Sequence, residues 1–186
     1  TTFAATDEER AGARSAAVAG LDAFNGGRFQ ESVELFEKAE AVVHSPVHLL
    51  YIARSHLQLG HLVEAREAYM KITRAGAPDG ASAAVTDAVD NAEKELEQLE
   101  PRLPQVTVKV TGAGDKKFQL FVDGRELSAA LAGISRPVNP GKHEFSVKAE
   151  GMKRTPVSRE FTEGARDEVT LHLDVDPNAP VPTKDT

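Results

Sequence analysis

Gly27, Phe29, Phe36 and Ala39 recur 33 residues later as Gly60, Leu62, Tyr69 and Ile72. A fixed offset of this size marks a helical hairpin used twice, because each copy buries its apolar face against the next. The constraint is local. After Pro101 the apolar period changes from helical to alternating, which predicts a separate β domain.

Thr6-Asp7-Glu8-Glu9 reads as a capping box that starts the first helix, with the acids at the positive end of its dipole. Ala13, Ala16, Ala17, Gly20, Leu21 and Phe24 follow at steps of three and four, and Asn25-Gly26-Gly27 ends the helix. Phe29, Val33, Phe36, Ala39 and Val43 form the stripe of a second helix. Ser45-Pro46 starts a third, with Ser as cap and Pro at the first helical position. Leu49, Ile52, Ala53, His56 and Leu57 face inward there, and Gly60 breaks it. Leu62, Ala65, Ala68, Tyr69 and Ile72 line a fourth. From Ser82 a fifth helix carries Val85, Ala88, Val89, Ala92, Leu96 and Leu99 on one stripe. Asp90, Glu93, Lys94, Glu95 and Glu97 lie on its charged face. Two hairpins are fewer than the roughly three that bury a continuous core, so this helix is expected to cap the second hairpin. Dimerisation through it is the alternative.

These residues resemble the tetratricopeptide repeat family. Its Gly–aromatic–Ala–aromatic–Ala–Pro spacing is met by Gly60, Leu62, Ala65, Tyr69, Ile72 and Pro78, and by Gly27, Phe29, Ser32, Phe36, Ala39 and Pro46. The family's early aromatic is replaced by Ala16 in one unit and Leu49 in the other. The resemblance implies that inner-helix side chains line a concave face for an extended peptide or a partner's helix. By position that face carries Arg14, Ala17, Leu21, Phe24 and Asn25, then Val47, Leu50, Tyr51, Arg54, Leu57 and Gln58. The expected partner-binding residues are Arg14, Leu21, Asn25, Leu50, Tyr51, Arg54 and Gln58. The family's clamp for a peptide carboxylate is not expected, because Ala17, Leu21 and Tyr51 stand where it needs Lys and Asn.

In the second half, Val106, Val108 and Val110 alternate with polar residues, as do Phe118, Leu120 and Val122. Asp123-Gly124 predicts a hairpin turn, and Asn139-Pro140-Gly141-Lys142 a type II turn. Phe145, Val147 and Ala149, then Val157 and Phe161, then Val169, Leu171 and Leu173 supply further strands. Leu127, Leu131 and Ile134 suggest a short helix or lid. The sum is a small antiparallel β-sandwich. Val122-Asp123-Gly124, Pro140-Gly141-x-His143-x-Phe145-x-Val147 and Gly151 resemble the PEGA family of envelope-associated β domains, with Met152 in place of its usual Tyr. Repeats joined to such a domain through Leu99-Glu100-Pro101-Arg102 are similar to a class of deltaproteobacterial envelope proteins.

The fold expected is therefore α+β in two domains. Residues 1–100 hold two tetratricopeptide-like hairpins plus a capping helix, residues 101–175 the PEGA-like β-sandwich, and 176–186 a Pro-rich disordered tail.

Charge and composition narrow the function. Residues 1–100 hold 9 Lys and Arg against 17 Asp and Glu, which argues against binding a phosphate backbone. Cysteine is absent, excluding thiol catalysis and Cys-ligated zinc. His44 and His48 are four apart, yet Ser45-Pro46 starts a helix between them, so they do not form a metal pair on one helix face. His56 and His61 straddle the Gly60 turn. Gly112-Ala113-Gly114 lacks the third glycine and the helix of a phosphate loop. No catalytic residue, metal or cofactor is expected. The expected function is a non-enzymatic adaptor of the bacterial envelope that binds a protein or peptide, with cell-wall or membrane proximity. The alternative is a self-assembling structural subunit. Periplasmic or surface location, and processing or truncation of a longer precursor, are expected from the resemblance and from the non-Met start at Thr1.

Overall fold

The computed structural model describes residues 5–153 and 155–177. The expected tail from Asn178 onward lies outside them. The chain divides into two compact units, Thr1–Arg102 and Leu103–Thr186. The α+β architecture is the one expected.

The first unit holds α1 (Asp7–Asn25), α2 (Phe29–Val42), α3 (Pro46–Gln58), α4 (Leu62–Ala75) and α5 (Ala83–Leu99), and closes on a single 3₁₀ turn, Glu100–Arg102. The capping box forms as the sequence predicts. The Glu9 amide donates to Thr6 Oγ1 at 3.2 Å, and the Thr6 amide donates to Glu9 Oε2 at 2.7 Å. Ser45 caps α3 by accepting from the Val47 amide.

The 33-residue offset is a repeat of conformation as well as of residue type. Gly27 and Gly60 take φ of 74° and 77°, in the left-handed region that favours glycine. The following residues, Arg28 and His61, enter the next helices at ψ of 66° and 69°. Phe36 and Tyr69 are both buried behind those turns. Where Phe36 passes α1, a Cβ on Gly20 would lie 2.9 Å from the Phe36 ring, so glycine allows the close approach of the first hairpin there.

Three helices of this unit are also tied by buried hydroxyls. Ser32 Oγ on α2 donates to the Gly20 carbonyl on α1 at 3.0 Å, and Ser55 Oγ on α3 donates to Ser32 Oγ at 3.1 Å. Both serines are fully buried, so each hydroxyl finds its partner within the protein.

The second unit packs two sheets face to face. In one, β4 (Ser135–Pro137), β1 (Gln105–Thr111) and β8 (Arg166–His172) lie in that order. In the other the order is β3 (Arg125–Leu127), β2 (Phe118–Val122), β5 (Gly141–Ala149) and β7 (Val157–Phe161). Val106, Val108, Val169 and Leu171 from the first sheet meet Leu120, Phe145, Val147 and Phe161 from the second in one core. A further pair, β6 (Met152–Lys153) and β9 (Asp174–Val175), is antiparallel.

One pairing departs from the antiparallel expectation. β1 and β8 run parallel, with Val108 opposite Val169 and Val110 opposite Leu171. No hairpin joins these strands. The chain crosses through the other sheet between them, and a crossover of that length permits parallel pairing. The stretch expected as a short helix or lid resolves into β3, a 3₁₀ turn at Ala129–Leu131, and β4. The Asp123-Gly124 turn joins β2 to β3, with both residues at positive φ.

Candidate binding face of the helical unit

α5 crosses α3 and α4 through residues at helical spacing, Ala88, Val89, Ala92 and Leu99, all buried. Glu95 lies three residues after Ala92 and four before Leu99, so it is carried onto the same face. Its carboxylate accepts from Arg54 Nε at 3.1 and 3.0 Å and from Arg54 Nη2. It also accepts from the Tyr69 hydroxyl at 2.7 Å. One carboxylate thus joins α5 to both α3 and α4.

The electrostatics follow the geometry. Burial opposes the Glu95 charge, but the Arg54 and Tyr69 hydrogen bonds outweigh it and hold the carboxyl below its ordinary range. Tyr69 is raised by burial first and by the adjacent Glu95 carboxylate second, so its phenol stays protonated. Arg54 also lies over the Tyr51 ring, 5.7 Å from its centroid. Tyr51 in turn stacks on Phe36 and meets Phe24 edge to face.

The expected binding residues separate under this arrangement. Arg54 and Gln58 share a groove of about 370 Å³ with Phe24, Leu57, Glu95, Gln98, Leu99 and Arg102. Leu50 does not line it. At 4 % exposure Leu50 is a core residue, because its position on α3 faces neighbouring helices. Tyr51 and Leu21 are half-buried, with Tyr51 held by its aromatic neighbours. Asn25 is exposed at the end of α1. Arg14 lies elsewhere, bordering a second groove with Ala17, Val18, Val43 and His48. Arg54 lines this groove but not as an open cation, since Glu95 neutralises it.

Glu95, expected on the charged face of the fifth helix, turns instead toward α3 and α4. The signal was available: 92, 95 and 99 are spaced three and four apart. What hid it was residue type, because a glutamate among glutamates reads as surface.

The histidines show local roles. His44 and His48 both turn toward Glu40, and the Ser45 amide donates to the same carboxylate at 2.8 Å. His56 and His61 approach with Nδ1 atoms 3.4 Å apart. In the β unit, His143 Nδ1 lies 2.6 Å from Asp123 Oδ2 and Nε2 lies 2.8 Å from the Asn139 carbonyl. Among the described residues, no group of three or more His, Asp or Glu is placed to hold a metal ion. No described helix is long and apolar enough to cross a membrane.

No family model matches the chain, and no curated protein matches it.

Proposed function

We propose that this protein is a non-enzymatic adaptor whose helical unit holds a short extended segment of a partner protein. The observation that carries the reading is the groove at the ends of α1, α3 and α5. Phe24 and Leu57 give it apolar walls, and the exposed Gln58 and Gln98 stand beside them. A primary amide offers both donor and acceptor, which suits the backbone of an extended chain. With Arg54 bound to Glu95, the groove carries no net charge from that pair. Leu99 and Arg102 complete the lining, and the segment it fits seats one or two apolar side chains against Phe24 and Leu57. A volume near 370 Å³ admits a few side chains and not a whole helix.

The tetratricopeptide-like repeat pattern supports the same reading, since stacked hairpins present concave faces of this kind. Placement in the bacterial envelope, periplasmic or at the surface, rests on the PEGA-like motif of the β unit and is part of the proposal. The β unit serves in it as a spacer or as a dock to a wall or surface component.

Panning the whole chain against displayed peptides tests the groove. Enriched peptides are expected to share one or two apolar side chains, and to shift the amide resonances of Leu57, Gln58 and Gln98. Gln58→Arg with Gln98→Arg, both at exposed positions, is expected to weaken them at least tenfold with the thermal midpoint unchanged. Peptides that bind the double variant as tightly as the parent would sink the proposal.

A further inference from the structure

The repeat register identifies a second surface. On α3, the side that packs against α2 is made by His48, Tyr51, Ile52 and Ser55. His48 and Tyr51 meet the Phe36 ring, and Ser55 bonds Ser32. Thirty-three residues earlier, the same positions of α1 are Ser15, Val18, Ala19 and Asp22. These residues, with Ala11 and Arg14, line a shallow exposed trough along α1. Among the described residues, no helix covers in the first hairpin the face that receives one in the second.

The side chains on it are those of a contact surface. Val18 is 64 % exposed. Val43, at 38 %, flanks it across the adjoining groove. Ala11, Ser15 and Ala19 are small enough to let another helix approach closely.

The charges select the occupant. Arg14 and Asp22 lie four residues to either side of Val18. A second α1 laid antiparallel, with Val18 on the two-fold axis, sets each Arg14 beside the partner's Asp22. Parallel pairing would set like charges together. The face is therefore complementary to itself in one orientation, as a two-fold interface requires.

We propose that two copies of this chain associate through the outer faces of α1, antiparallel about Val18. The interface is one helix pair, well below the roughly 1,600 Å² of a standard stable complex, so the dimer is a weak one.

The chain has no cysteine, so Val18→Cys introduces its only thiol. On the axis, two such thiols come within disulfide reach. Mild oxidation of the whole chain is expected to yield a crosslinked dimer at least tenfold faster than Lys38→Cys, an exposed control on α2. In a sedimentation series, Asp22→Arg is expected to abolish self-association, and adding Arg14→Asp to restore it. A parent that stays monomeric at every concentration overturns the proposal. So does a Val18→Cys protein that crosslinks no faster than the control, or a charge swap that does not restore the dimer. The peptide-binding test above reads a different surface, so the two readings fail independently.

Discussion

Glu95 accepts hydrogen bonds from Arg54 and Tyr69 at once, binding the last helix of the first unit to the second hairpin. Both partners sit on repeat helices, and the carboxylate sits on the helix that covers them. Arg66 makes a second tie of the same kind, donating to Glu100 at 2.7 Å.

Removing the Glu95 charge is expected to loosen α5. Glu95→Gln leaves Arg54 half-buried with a neutral partner, and is expected to cost about 1–3 kcal/mol. The sign with pH follows from the lowered carboxyl. Its contribution is complete above the ordinary value of 4.5 and is lost as pH falls through the lower folded value. Urea titrations from neutral to acid should show the gap between parent and variant closing at low pH. A gap that stays constant would falsify the assignment.

Gly20→Ala sets two effects against each other. Alanine favours the helix by up to about 1 kcal/mol over glycine. The new methyl meets the Phe36 ring at 2.9–3.3 Å, and that ring is buried and stacked on Tyr51, so it has little room to retreat. Overpacking of this kind costs about 1–3 kcal/mol, so net destabilisation is expected. Phe36→Leu in the same chain should reverse the sign of the Gly20→Ala effect, measured as a change in urea midpoint.

The buried hydroxyls should behave as a unit. Ser32→Ala leaves the Ser55 hydroxyl without its acceptor, at an expected cost of about 1–2 kcal/mol. Adding Ser55→Ala removes that orphaned group, so the double variant should cost less than the sum of the singles. Ala65 occupies the position of Ser32 in the second hairpin, so the site accepts alanine sterically. Additive single and double effects would remove the coupling.

His56 provides a pH effect near neutrality. Burial is the main influence on its ring and lowers its proton affinity. Glu64 opposes that shift, His61 adds to it, and Glu37 opposes it. The neutral ring is thus favoured by folding. Its contribution is complete above the ordinary value of 6.5 and declines as pH falls toward the lower folded value. His56→Gln should lessen the loss of stability between neutral pH and about pH 5. Unchanged pH dependence in thermal melts of that variant would show that the ring is not the source.

The sequence by itself determined the elements. The Thr6–Glu9 box, the glycines at 27 and 60, the Ser45-Pro46 start and the Asp123-Gly124 turn all act through neighbours a few residues away. Local sterics and hydrogen bonds decide such features, so they are written in local order. The repeat offset also determined that Phe36 and Tyr69 fill equivalent gaps. The tertiary structure alone decided which polar residues meet. Arg54 and Glu95 are 41 residues apart, and Ser32 and Ser55 are 23 apart. Nothing in the type of a glutamate or serine says that it will be enclosed. The parallel pairing of β1 with β8 is of the same kind, since it joins the first long strand of its unit to the last. Leu50 and Arg54 looked equivalent as groove residues because they lie one helical turn apart. Packing separated them: one turns into the helix core, and the other reaches the single carboxylate that neutralises it.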